Sequence, residues 1–257
     1  MNLIKFIAIF LIPIYLLPTE TNLSIRECIE NGEIDCLKKK IKNKSNANLI
    51  DPEKNESLLY LASNTNHLKV IKLLISKGAN PNKISPASGE YPIHRACQTG
   101  NFEIIKFLLD KQANPKHLTR DLQQTIVQKA AISGNVNVLD YLSKKGADID
   151  TKDKFGRTPI FLACENGNYE FAKKLVLMGT NFNLQDLYME SPLHLATRSR
   201  HPEIVKLLLE HDANFRALSK SSETPILSAR IEIPNFPPPK NPEKLQKREP
   251  ISHWNTY

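Results

Sequence analysis

Compact chemical motifs are missing from this 257-residue sequence. It has no G-x-x-x-x-G-K-S/T phosphate loop, no G-x-S-x-G elbow and no kinase signature set, so neither a nucleotide cradle nor an activated nucleophile is indicated. The seven histidines form no H-E-x-x-H and no pair at ligand spacing with cysteine or carboxylate, and a paired C-x-x-C is absent, which argues against a metal. The four cysteines do not read as a disulfide framework. The expectation is a protein that is not an enzyme, with no catalytic residue, cofactor or metal.

Long apolar runs are scarce as well. Phe6–Leu17 contains twelve residues without a charged or amide side chain, preceded by Lys5 and closed by Pro18. Even with Leu3 and Ile4 added it falls short of the roughly 17–25 residues that span a bilayer. One positive charge followed by an apolar stretch of this length is the layout of a secretory signal. No A-x-A site follows, the nearest small-x-small triplet being Thr19-Glu20-Thr21, and no cysteine stands where a lipoprotein signal needs one. Residues 1–18 therefore read as a signal peptide or a membrane anchor, with an apolar capping helix as the third reading. The first two make the chain exported (secreted or periplasmic) or membrane-anchored; the third makes it cytoplasmic.

The composition, 24% charged and 40% apolar, is that of globular material. The net charge of +8 permits attraction to acidic proteins, anionic lipid or nucleic acid. Much of it comes from Lys, which matches phosphates and base edges less well than Arg, so nucleic acid is not expected. Nor is a small-molecule substrate.

What the sequence does contain is a repeat. Six tetrads recur: Ser57-Leu58-Leu59-Tyr60, Tyr91-Pro92-Ile93-His94, Thr125-Ile126-Val127-Gln128, Thr158-Pro159-Ile160-Phe161, Ser191-Pro192-Leu193-His194 and Thr224-Pro225-Ile226-Leu227. Their second positions are separated by 34, 34, 33, 33 and 33 residues. Ser or Thr before Pro is a helix start, because the hydroxyl accepts from an orphan amide and Pro at the next position has no bond to lose. A small residue follows each tetrad, and in repeats two to five a second apolar helix such as 104–109 or 204–209. Gly100, Gly134 and Gly167 fall between the helices and Gly78, Gly146 and Gly179 after the second, positions suited to a left-handed helix end. The predicted unit is a helix pair followed by an extended finger.

This pattern resembles the ankyrin repeat, T-P-L-H-x-A within 33 residues, over about residues 22–230. The resemblance implies an all-α solenoid of helix pairs joined by extended fingers, about six to seven units including degenerate caps. The expected divisions are a cap at 22–50, repeats at 51–83, 86–117, 120–151, 153–185 and 186–218, a truncated cap at 219–230, and a Pro-rich extended tail at 231–257 carrying Trp254. Asn66 and Arg200 replace the inter-helix Gly, Gln112 and Asp212 the terminal one, and Ile126 and Gln128 the Pro and His; looser packing is expected in those units. His94 and His194 occupy the repeat's own His position, which implies a structural ring beside the cap and no general base.

In this register Cys97 and Cys164 lie two units apart, roughly 20 Å, too far for a bridge and suited to the core. Cys28 and Cys36 face one another across one helical hairpin. They permit either a bridge, in an oxidising compartment, or two buried thiols.

The resemblance also implies binding through the fingers and the groove side of the first helices. Three residues before the caps stand Lys54, Ser88, Leu122, Phe155 and Tyr188, of which the last three form an apolar row spaced by 33. Seven residues after the caps stand Asn64, Gln98, Ile132, Glu165 and Arg198, while Lys116, Arg120, Lys152, Lys154 and Arg157 crowd the middle fingers. Leu122, Phe155, Tyr188, Ile132, Glu165, Arg198, Lys154 and Arg157 are the candidate partner-binding residues. The row serves either a partner or finger-to-finger packing. The expected function is a scaffold for a protein partner carrying an apolar stripe beside acidic residues, with membrane association through the N-terminus. The alternative is a membrane-tethered spacer with no dedicated partner.

Overall fold

The computed structural model describes residues 23–225, so the N-terminal apolar segment and the tail with Trp254 lie outside the described residues. A cap is formed by α1 (Ile25–Glu30), α2 (Ile34–Lys40) and α3 (Lys44–Ala47). A two-stranded hairpin, β1 (Ile50–Asp51) and β2 (Glu56–Ser57), leads into α4 (Leu58–Ser63) and α5 (Leu68–Ser76). Four further pairs follow: α6 (Pro92–Thr99) with α7 (Phe102–Asp110), α8 (Ile126–Ser133) with α9 (Val136–Lys144), α10 (Pro159–Glu165) with α11 (Tyr169–Leu177), and α12 (Pro192–Arg198) with α13 (Pro202–Glu210). The second helix expected from repeat two onward is thus present in the first repeat too.

The pairs stack in two rows. Each first helix packs on the next, from α1 through α4, α6, α8 and α10 to α12, and the second helices do likewise from α2 to α13. Between the rows runs one continuous apolar core that includes Leu59, Ile71, Ile93, Ile104, Val127, Leu139, Phe161, Phe171, Leu193 and Leu208. At roughly 1.5–3 kcal/mol for each large side chain removed from water, this core is what stabilises the stack. Cys97 and Cys164 lie in it, fully buried, and burial pushes both thiols up. Cys28 and Cys36 are joined in a disulfide that ties α1 to α2 across a Cα separation of 6.0 Å.

The starts of the first helices follow their sequences. Ser24, Thr125 and Ser191 make reciprocal capping boxes with Glu27, Gln128 and His194, and Ser57 accepts from the amide of Tyr60. Thr158 departs from the expectation. It makes no side-chain cap bond and its hydroxyl is buried without a partner.

Of the six departures from the repeat, five keep its geometry, whereas Asn66 does not take the left-handed backbone of the glycine it replaces. Arg200, Gln112 and Asp212 adopt the same left-handed backbone as the glycines they replace, at φ of 62°, 65° and 63°. Ile126 and Gln128 are fully buried, and the Gln128 amide donates to the Arg157 carbonyl at 2.6 Å, as a histidine ring would. A glycine is needed twice over at Gly167: φ is 74°, and a Cβ there would lie 2.5 Å from the ring of His201, which reaches back to the Glu165 carbonyl at 3.2 Å.

Candidate functional site

Each finger is built on a buried polar anchor. Asp51, Ser85, Thr119, Asp153, Asp186 and Ser219 recur every 33 or 34 residues, all buried. Asp153 accepts from the amides of Phe155 and Arg157, and Asp186 from those of Tyr188 and Glu190, all at 2.8–3.0 Å. Two residues before each cap the chain turns through positive φ, at Asn55, Gly89, Gln123, Gly156, Met189 and Ser222. Backbone bonds then stitch finger to finger: the amides of Arg120, Lys154, Leu187 and Lys220 donate to the carbonyls of Gly89, Leu122, Phe155 and Tyr188, each at 2.9 Å. The buried rings of His94 and His194 add a second tie, their Nε2 atoms lying 3.0 and 3.1 Å from the carbonyls of His117 and Glu223 on the following finger. Burial lowers both imidazole pKa values, that of His94 to about 4.

Two charged nodes sit on the finger side of the first helices. In the first, Lys129 pairs with Glu90 at 2.6 Å, and the Tyr60 hydroxyl donates to the other Glu90 oxygen at 3.1 Å. Burial pushes the Tyr60 phenol up to about 12. In the second, Arg157 pairs with the buried Asp186 at 2.8 Å and lies 3.5 and 3.9 Å from Glu165 and Glu190. Its guanidinium stands 6.0 Å from the ring centres of both Phe155 and Tyr188, which are 6.3 Å apart. Arg198 pairs with Glu190, and beside it a cleft of about 330 Å³ is bounded by Arg157, Tyr188, Arg198, Lys220 and Glu223.

Models of the family described as ankyrin repeats match residues 25–119 and 160–230 in one form and 127–176 in another. The chain belongs to the ankyrin repeat family. The ankyrin repeat domain of human ASB11 superposes on it with a TM-score of 0.70 at 24% identity, covering 80% of this chain and 91% of that one. That likeness speaks to the fold. No curated protein sequence matches the chain. Ankyrin repeats are generally protein–protein interaction modules and typically non-enzymatic scaffolds. Among the described residues of this ankyrin protein no helix is long and apolar enough to cross a membrane.

Against that frame of fingers and groove, the sequence-derived candidates separate. Phe155, Tyr188, Arg157, Glu165 and Arg198 come together in the second node. The amide of the exposed Lys154 donates to the carbonyl of Leu122, which is 36% exposed. Ile132 packs against the core. The apolar row is therefore an aromatic pair bridged by arginine, extended to Leu122 by the main chain.

Sequence reasoning missed three apolar residues at the C-terminal fingertips. Leu187, Met189 and Leu218 are 57%, 45% and 49% exposed, beside Tyr188 at 50%. The Gln185 amide donates to the carbonyls of both Met189 and Leu218, which places the two fingertips side by side. The signal was there: Leu187-Tyr188-Met189 is an apolar triplet at a turn, where polar residues are the rule. The anchor column was likewise visible as Asp, Ser or Thr at a constant interval.

Proposed function

We propose that this chain is a non-enzymatic ankyrin scaffold, exported or membrane-associated, that binds a protein partner through its C-terminal fingers. The observation that carries this reading is the exposed apolar run Leu187–Met189, with Leu218 beside it and the Phe155–Arg157–Tyr188 stack beneath. Apolar and aromatic side chains held on a rigid base are the usual anchors of an interface, since little side-chain freedom is lost on binding. The exposed Lys154, Arg198 and Lys220 at the margin favour a partner with acidic residues around an apolar stripe. Export is supported by Lys5 followed by Phe6–Leu17 and by the Cys28–Cys36 bond, a kind of link that persists in oxidising compartments.

The test is capture by the immobilised full chain from extracellular material and lysate. A variant with Leu187, Tyr188 and Met189 changed to Ser is compared with the wild type and with Leu177→Ser, a 68% exposed position at the end of α11. Loss of a defined protein by the triple variant alone supports the fingertip site. Equal retention by all three chains moves the site elsewhere, and no capture by any of them favours the tethered spacer. Sequencing the N-terminus of the chain made in its own cells tests export: a start near residue 19 marks a cleaved signal.

A further inference from the structure

We propose that the Cys28–Cys36 bond is a redox-controlled seal on the N-terminal end of the stack. Oxidised, it holds α1 and α2 together as a cap; reduced, it lets them separate from α4 and α5. This inference is independent of the partner reading, since it concerns the opposite end of the molecule.

The argument begins with length. α1 has six residues and α2 seven, well under the roughly 12–15 at which an isolated helix begins to persist in water. Glu33, at the N-cap of α2, makes no side-chain cap bond. The non-covalent polar ties from this hairpin to the first repeat include an Arg26–Glu53 pair, with Glu53 largely exposed, and the His67 ring on the Glu30 carbonyl at 3.1 Å. The apolar ties include Cys28, Ile29, Leu37 and Ile41, all fully buried. The bond joins one of these, Cys28, to Cys36, so a single covalent link fixes the angle at which the two short helices present their apolar side.

What the hairpin covers is the end of the core. α1 packs on α4 and α2 on α5, whose Leu58, Leu59, Val70, Ile71 and Leu74 are buried. A repeat stack needs a terminal unit that turns a polar face outward, and Lys38, Lys39 and Glu30 supply it here. Without that unit an apolar end face meets water.

The chemistry is self-contained. Cys28 is buried while Cys36 is partly exposed, so an external dithiol reaches the bond from the Cys36 side. Its thiolate forms a mixed disulfide there and Cys28 leaves as a thiolate that takes up a proton. The second thiol of the reductant then displaces Cys36, leaving two protein thiols and one cyclic disulfide. Cys97 and Cys164 are fully buried, so neither exchanges with the pair.

The experiment uses the full chain purified without reductant and treated with dithiothreitol, followed by thiol alkylation and by amide hydrogen exchange. The expected result is two alkylated sites, Cys28 and Cys36, and at least tenfold faster exchange across residues 25–41, with residues 126–144 unchanged. A Cys28→Ser/Cys36→Ser chain should exchange like the reduced protein, without any added thiol. Alkylation of Cys28 and Cys36 before reduction overturns the proposal, because the bond is then absent. Unchanged exchange over 25–41 after reduction also overturns it, as does an equal rise in every unit, which would make the bond a global brace.

Discussion

The two halves of the groove solve one electrostatic problem in opposite ways. The residue just before the cap is Glu56, Glu90, Gln124, Arg157, Glu190 and Glu223 in turn, so a single unit reverses the sign of an otherwise acidic column. In the N-terminal half Glu90 is closed off by Lys129 and Tyr60, both side chains of the ion pair are nearly buried, and the fingertips above carry Lys54 and Ser88. In the C-terminal half Arg157 takes the place of the acid and supports two aromatic rings whose outer edges meet solvent. The same backbone thus yields a sealed node at one end and a presenting surface at the other. What separates them is one register position and the fingertip residues above it.

The comparison is broken most directly at Asp186. Its side chain is fully buried and serves two turn amides as well as Arg157, so Asp186→Ala leaves two unmet donors and a largely buried cation. Removal of one partner from such a pair costs about 3–5 kcal/mol. The side chain of the equivalent Asp51 accepts from the Lys54 amide and, among the described residues, has no cation to hold, and Asp51→Ala should cost about 2 kcal/mol. Urea midpoints of the two variants measure the contrast. Equal losses would show that Arg157 contributes nothing through Asp186.

Next in size is a pH effect in the first node. His94 is buried, and burial lowers its pKa from 6.5 in the unfolded chain to about 4 in the fold. The unfolded state therefore takes up a proton more readily, and stability is full above pH 6.5 and lost progressively as pH falls toward 4. The loss at the lower limit is about 3 kcal/mol. His94→Gln imitates Gln128, which makes the same tie without titrating, so the variant should lose less stability than the wild type between pH 6.5 and 4. Parallel stability curves for the two chains would contradict this assignment.

These nodes also show how far the sequence could be read. The helix pairs, their caps and the glycine ends follow from residue types that do local work, so the six tetrads announce them without tertiary information. Finger positions are also legible, because a constant interval carries Phe155 to Tyr188. The partners of Arg157 are not: Asp186 and Glu190 lie about one repeat away, and only the stacking of units brings them within reach. Exposure is a property of the assembled stack for the same reason, which is why Ile132 and Tyr188 look alike in sequence and differ in the fold. Cys28 and Cys36 were placed correctly by register, and the choice between bridge and free thiols needed their actual separation.

A smaller effect is expected at Tyr60, the lid of the sealed node. Tyr60→Phe removes the hydroxyl that donates to Glu90 while keeping the ring, and Lys129 still satisfies the carboxylate. The cost is about 2 kcal/mol, the net worth of one hydrogen bond to a charged acceptor. The corresponding residue in the fourth repeat, Phe161, already lacks the hydroxyl and is fully buried, so the fold accepts a phenyl ring at this register position. Thermal unfolding of Tyr60→Phe against wild type checks it, and a loss above about 3 kcal/mol would mean that Glu90 depends on Tyr60 more than on Lys129.

The smallest change in stability belongs to the presenting surface. Leu187 and Met189 stand about half exposed at a turn whose backbone is already fixed by Asp186 and by the bond from the Leu187 amide to Phe155. Changing both to Ser should move stability by no more than about 0.5 kcal/mol, as for surface sites outside the core. That near-neutrality is what distinguishes presentation from packing. If Leu187 and Met189 instead held the fingers together, their loss would expose the Phe155–Tyr188 pair and lower the unfolding midpoint as a core truncation does, by about 2 kcal/mol or more. Denaturant unfolding of the double variant decides between a surface kept for binding and a surface that braces the last two fingers.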